Sequence, residues 1–194
     1  MKKTSKNTKG KIVTAAWKLF YEQGYDETTV EEIIYESGTS KGSFYHYFEG
    51  KDALLGSLSY IFDEKYEELK ENIGEDMNSL DVLIFLNREL FSMIESSVDI
   101  GLLAGLLSTQ LVTKGEKHLL DRNRVYYKLL RQIVSAGQEK GEIRKDFSVG
   151  EIVKLYAMTE RSLMYDWCLC NGEYSLTAYA AKAMPVFLSG IRIQ

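Results

Sequence analysis

In Ser40-Lys41-Gly42-Ser43-Phe44-Tyr45-His46-Tyr47-Phe48 the two phenylalanines stand four residues apart. On a helix that spacing puts both on one face, where they pack inward together. Lys41, Gly42, Ser43, Tyr45 and His46 are left on the other face. A lysine, a small hydroxyl and a histidine can hydrogen-bond to base edges in a major groove. Gly42 lets the backbone approach closely. The tyrosine hydroxyl, with Lys51 just beyond, can hold phosphates. An ordinary short amphipathic helix with a wet polar side satisfies the same pattern.

Upstream lie the signals of two further helices. Ile12, Ala16, Leu19 and Phe20 form an apolar stripe at helical spacing over 8–23, and Gly24 stands where a left-handed cap belongs. Thr28 with Glu31 has the spacing of a capping box for a helix over 29–36, which turns Val30, Ile33 and Ile34 inward. Gly38 supplies a positive-φ turn, and Ser40 can N-cap the helix that follows. Two short helices joined by a glycine-containing turn make a helix-turn-helix.

The same periodicity runs through the rest of the chain, with almost no strict alternation. It predicts further helices near 51–72, 79–97, 100–113, 118–140, 148–171 and 175–192, about nine in all. The fold class is therefore all-α: a helix-turn-helix domain over 1–51 and a helical domain over 52–194. One proline in 194 residues argues against a β-sandwich or barrel.

Residues 1–51 carry eight lysines against seven acidic groups, and the remainder carries sixteen basic against twenty-one acidic groups. Six of those lysines fall within the first 18 residues, where no acid occurs. An acidic body with a basic leading edge excludes general nucleic-acid affinity but allows one localised phosphate-binding surface. The opening MKKTSKNTKGK has no apolar run behind it, and the apolar stretch Ile100–Val112 is shorter than the ~20 residues of a membrane span. A cytoplasmic protein with no membrane partner is expected. Cys168 and Cys170 point roughly 200° apart on a helix and are poorly placed to pair. With only His46 and His118 as imidazoles, no metal site or other cofactor is expected.

Several motifs together carry a family resemblance. Ala16-Trp17-Lys18-Leu19-Phe20 runs to Gly24, followed by Thr29 and Ile33. Then come Gly38, Ser40, Gly42, Tyr45 and Phe48, and finally Lys51 with Leu54. Residues 9–56 thus resemble the DNA-binding domain of the TetR-family transcriptional regulators. Gly141-Glu142-Ile143-Arg144-Lys145-Asp146 looks like that family's turn before its eighth helix. Ser37-Gly38-Thr39 and Ile34 depart from its commoner residues without upsetting the packing.

The resemblance implies a homodimeric regulator, not an enzyme, that places its third helix in the major groove of a palindromic double-stranded operator. By analogy Lys41, Gly42, Ser43 and His46 read bases, while Tyr45, Lys51 and Thr29 grip phosphates. A basic arm with Lys6, Lys9 and Lys11 adds salt-dependent affinity. The analogy also puts the last two helices in a bundle across the dimer axis, with Ala180, Ala183, Phe187 and Gly190 on the shared face. Packing within one chain explains that stripe too. Pro185 is expected to bend or end the first half of the last helix.

The C-terminal helices carry a second anomaly. Val149, Val153, Tyr156, Leu163, Met164 and Trp167 share a face with Glu160 near its centre. Asn87 lies in the stripe of Leu80, Ile84, Phe91, Ile94 and Val98, and Asn123 in that of Leu119, Tyr126, Leu130 and Ile133. Inward polar groups among Tyr126, Phe91, Met93, Tyr156, Met164 and Trp167 resemble a small-molecule effector site. Glu160 is expected to orient a hydrogen-bond-donating or cationic aromatic ligand, and a small hydrophobic or amphipathic effector is expected to release the repressor from its operator. A buried ion pair of Glu160 with Arg88 or Arg122 is the competing arrangement. Two further readings stay open: a C-terminal domain that binds a protein, and an all-α enzyme with Glu160 as general base.

Overall fold

The computed structural model describes residues 3–74, 76–112 and 117–193, with side chains from Thr8 onward. Among them are α1 (Lys3–Gln23), α2 (Val30–Ser37), α3 (Lys41–Tyr47), α4 (Lys51–Leu55) and α5 (Leu58–Lys70). They continue with α6 (Ser79–Ser97), α7 (Ile100–Val112), α8 (Val125–Glu139), α9 (Val149–Leu169) and α10 (Leu176–Ser189). The class is all-α, as the periodicity predicts. The chain divides into two compact units: residues up to Tyr60 with Gly101–Leu119, and Ile61–Ile100 with residues from Leu120 on.

In the first unit Ile12, Ala16 and Phe20 of the predicted α1 stripe become core, and Leu19 packs against it half-buried. Ile12, Ala16 and Phe20 pack with Ile33, Phe44, Phe48, Leu54, Leu55 and Leu102 of α7. Gly24 (φ 87°) and Gly38 (φ 61°) take the left-handed conformation that ends α1 and α2, which a Cβ would strain. The capping box lies one residue later than expected. Thr29 accepts from the Glu32 amide, and the Glu32 carboxylate accepts from the Thr29 amide. Thr28 is instead buried, with its hydroxyl donating to the Gly24 carbonyl at 2.7 Å. Ser40 caps α3 as expected.

The single helix expected over 51–72 is broken between α4 and α5. Ser57 donates its hydroxyl to the Leu54 carbonyl, and Ser59 donates to the Gly56 carbonyl at 2.6 Å. These side-chain bonds satisfy carbonyls at the break. The Trp17 indole N–H donates to Ser57 Oγ at 2.8 Å and holds the break against α1.

In the second unit α6 packs against α8 and α10, and α9 packs against α8 and α10. Ser148 and Glu151 form a capping box at the start of α9. Gly141 (φ 75°) makes the turn before it, and Ile143 bridges to Arg192. α10 runs through Pro185 to Ser189, so the proline does not end the helix; the Ala181 carbonyl that loses its donor belongs to an exposed residue. One expectation is corrected. The helix expected from 118 begins only at Val125, after a short 3-10 turn over His118–Leu120. Asp121 Oδ1 accepts from the Asn123 amide at 2.9 Å, a local bond that competes with helix.

Candidate nucleic-acid interface and effector region

α3 exposes the surface that its sequence predicts. Phe44 and Phe48 face the core with ring centroids 5.9 Å apart. Lys41, Gly42, Tyr45 and His46 are exposed, and Ser43 is half-buried with its hydroxyl 2.9 Å from that of Ser40. The Lys41 ammonium lies 3.4 Å from Glu31, a pair so exposed that it costs little to open. Lys51 is more committed. Its ammonium donates to the carbonyls of Tyr25 (2.7 Å) and Asp26 (3.2 Å) and sits 4.3 Å from the Tyr25 ring centroid. The Tyr25 hydroxyl in turn donates to Asp52.

Thr29 is exposed, and its hydroxyl donates to Glu32 at 2.8 Å as part of the cap. Lys9 stacks over the rings of Phe48 and Tyr60, and Lys11 is exposed. The side chain of Lys6 lies outside the described residues.

In the second unit Glu160 is 2 % exposed. Its Oε1 accepts from Asn87 Nδ2 at 2.9 Å and its Oε2 from the Tyr126 hydroxyl at 2.6 Å. Tyr156 adds a favourable contact, but its hydroxyl proton goes to the Leu83 carbonyl at 2.8 Å. Burial pushes the Glu160 carboxyl above its ordinary value, while Asn87 and Tyr126 pull it back. The Tyr66 hydroxyl, fully buried and stacked near Tyr126, has no hydrogen-bond partner among the described residues.

The structure therefore gathers Glu160, Asn87, Tyr126 and Tyr156. Phe91, Met164 and Trp167 are buried in the same unit, and Met93 is half-buried. The Trp167 indole donates to the Tyr174 carbonyl at 2.8 Å. Asn123 is not part of the group: it sits in the exposed turn before α8, where helical phase does not apply. The competing arrangement, an ion pair with Arg88 or Arg122, is not formed. Arg88 pairs with Glu89, and Arg122 is exposed with its carbonyl bonded by Arg131. Neutral donors satisfy Glu160 instead.

The buried ion pair of this unit lies elsewhere. Arg124, next to α8, grips Asp63 of α5 through Nε (3.1 Å) and Nη2 (2.9 Å), and Asp63 also receives the Tyr126 amide.

A cleft of about 230 Å³ opens between the start of α8 and α9. Arg122, Arg131, Lys154 and Arg161 line it, with Tyr127, Leu120, Gly150 and Val153. Sequence reasoning named Arg122 only as a competing partner of Glu160 and did not bring the four cations together, because in these helices it followed the apolar faces. The available signals were Tyr127 with Arg131, and Lys154 with Arg161, each pair recurring at helical spacing.

Of the expected interface residues, Ala183 and Phe187 are half-buried and Gly190 is exposed, but Ala180 is 1 % exposed within the single chain. Ala180 is thus spent on intramolecular packing. The exposed apolar side chains are Tyr179 and Val186 on α10, and Leu155, Met158, Tyr165 and Leu169 on α9. The α9 stripe went unread in the sequence. Burial raises the Cys168 thiol to about 11, away from a reactive thiolate. Among the described residues no single helix is long and apolar enough to cross a membrane.

Comparison with known proteins matches residues 12–58 to the model of bacterial regulatory proteins of the tetR family. Residues 62–190 match that of the C-terminal region of YsiA-like proteins. The fatty acid metabolism regulator protein of Bacillus subtilis (strain 168) is 24 % identical over 184 residues, covering 93 % of each chain. The structure of Thermus thermophilus FadR, a TetR-family repressor in complex with lauroyl-CoA, aligns with a TM-score of 0.77 at 23 % identity. That alignment covers 95 % of both chains. Bacillus subtilis FadR in complex with stearoyl-CoA aligns with a TM-score of 0.68 at 24 % identity, covering 94 % of this chain and 98 % of that one. With its N-terminal and C-terminal regions both matched, this chain belongs to the TetR family of transcriptional regulators.

Proposed function

We propose that the chain is a homodimeric repressor that holds a palindromic operator through α3 and releases it on binding a fatty acyl-CoA. The observation that carries the DNA reading is the joint exposure of Lys41, Gly42, Tyr45 and His46 on a helix whose back is sealed by Phe44 and Phe48. Donors on that face suit base edges and phosphates. Two-fold pairing is supported by the exposed apolar side chains of α9 and α10, which stand on helices that pack against each other. Ala183 and Phe187 lie on that part of the chain, and Ala180 does not face outward.

The effector class is supported by the relatives' names: a fatty acid metabolism regulator alike over nearly its full length, and FadR proteins of the same fold carrying acyl-CoA. A cationic aromatic ligand is disfavoured. Both oxygens of Glu160 already accept hydrogen bonds from neutral donors, which such a ligand would have to displace.

Selection of bound DNA from a random pool tests the reading, with a Lys41→Ala, Tyr45→Phe double variant as control. An enriched palindrome that the control fails to enrich is expected, as is its release by lauroyl-CoA. A folded protein that enriches no sequence, or whose control enriches the same one, would overturn the role given to α3. An operator complex indifferent to acyl-CoA would overturn the effector. Val186→Glu is expected to shift sedimentation from dimer to monomer, and an intact dimer would remove that interface.

A further inference from the structure

We propose that the cleft of Arg122, Arg131, Lys154 and Arg161 is a binding site for a diphosphate or larger phosphate chain. Four cations line it, and no carboxylate shares the lining. The protein as a whole carries a net charge of −4, so composition does not explain four cations in one concavity. Like charges so placed repel one another, and a polyanion converts that repulsion into attraction.

The arginines are also organised. Arg131 Nη2 donates to the Arg122 carbonyl at 2.8 Å, and Arg161 Nη1 donates to the Tyr127 hydroxyl at 3.2 Å. Each bond uses one donor of a planar five-donor fork, and the remaining donors suit the spread oxygens of a phosphate chain. Val153 and the ring of Tyr127 give the cleft an apolar side for whatever joins the phosphates. A volume of about 230 Å³ is below the ~300–1,000 Å³ of sites that enclose a drug-sized ligand. The cleft therefore takes the phosphate end of a molecule and not the whole of it.

The phosphates can be those of a CoA thioester or of a free nucleotide. The first case rests on the acyl-CoA reading above; the second does not.

Calorimetry on the full chain separates them, with pyrophosphate, CoA, lauroyl-CoA and laurate as probes. The comparison is wild type against Arg122→Gln, Lys154→Gln; both residues are exposed, so folding is not at stake. The double variant is expected to bind the three phosphate-bearing probes roughly ten- to a hundredfold more weakly, with a shallower salt dependence. Equal affinity in the two proteins, or no binding of any phosphate-bearing probe by wild type, overturns the site. Weakened pyrophosphate and CoA binding, with an operator complex untouched by lauroyl-CoA, keeps the site and overturns the acyl-CoA reading. Weakened pyrophosphate binding with operator release by lauroyl-CoA that is identical in both proteins keeps the site and that reading, and overturns the CoA thioester as the source of the phosphates.

Discussion

The Tyr126 hydroxyl donates to Glu160 Oε2 at 2.6 Å inside the second unit, with Asn87 holding the other oxygen. A buried carboxylate costs free energy that two neutral hydrogen bonds offset only in part. The carboxyl is accordingly raised above 4.5, with burial as the leading cause.

The consequence is a pH dependence of stability with a definite sign. The folded protein holds the Glu160 proton more tightly than the unfolded chain. This contribution is full below about pH 4.5, where the unfolded group titrates, and is lost as pH rises through the higher folded value. Glu160→Gln should remove that loss, so its stability relative to the parent grows from pH 4 towards neutrality. Tyr126→Phe removes a donor and should steepen the loss, costing about 1–3 kcal/mol at neutral pH. Urea midpoints across this range check both, and parallel profiles for Glu160→Gln and parent would contradict the assignment.

Lys51 ties the α1–α2 turn to the start of α4 through the Tyr25 and Asp26 carbonyls. Lys51→Ala should therefore do two things at once. It should destabilise the DNA-binding unit by about 1–3 kcal/mol, as expected for charged hydrogen bonds. It should also weaken binding to matched and mismatched operators by the same factor, because phosphate and scaffold contacts carry no sequence information. Lys41→Ala should instead change the ranking of operators while leaving stability within about 0.5 kcal/mol. Affinities across a panel of single-base operator variants distinguish these patterns; a changed ranking with Lys51→Ala would assign that lysine to base reading.

The helix-turn-helix was legible because its determinants are local. Phe44 and Phe48, Gly38 and Ser40 act within one or two turns of chain, and each does what its spacing predicts. The capping box slipped by one residue because Thr28 with Glu31 and Thr29 with Glu32 have identical spacing. Only the buried bond of Thr28 to Gly24 separates them. Glu160 and Asn87 were legible as inward polar residues and Tyr126 as an aromatic wall, but their mutual bonds were not, since the three come from different helices. Asn123 was misplaced by extending helical phase into a turn that Asp121 closes. The cations of the cleft come from a turn and two helices, and their proximity exists only in three dimensions.

Asp63 and Arg124 form a two-pronged pair whose side chains are 12 % and 8 % exposed, and Asp63 also accepts the Tyr126 amide. Removing Asp63 takes from Arg124 the carboxylate that it grips in a poorly solvated place. Asp63→Ala should cost about 3–5 kcal/mol, whereas removing both charges with Asp63→Leu, Arg124→Met should cost much less than the single change. Denaturant unfolding of the single and double variants measures the difference. A double variant as unstable as Asp63→Ala would show that the residual cost is packing and the lost Tyr126 amide bond, not an uncompensated charge.

Gly137 and Gly56 give a paired test of close packing. Both have helical backbone, so an added methyl should favour helix by about 1 kcal/mol at Gly137. Space decides otherwise. A Cβ on Gly137 would stand 2.6 Å from Ile143 Cδ1 and 2.8 Å from Ser79 Cβ. Neither neighbour can yield easily. Ile143 is fully buried, its amide donates to the Gly137 carbonyl at 3.1 Å, and the Ser79 amide donates to Glu142 at 2.8 Å. A Cβ on Gly56 would stand 2.6 Å from His118 Cδ2, the far end of a half-exposed side chain that can rotate away. Gly137→Ala should destabilise by a net ~1–3 kcal/mol, a fall of roughly 2–12 °C in Tm for a chain of this size. Gly56→Ala should shift Tm by less than about 2 °C. Equal falls would mean that His118 is held as firmly as Ile143, and that the break between α4 and α5 depends on that histidine as well as on Ser57.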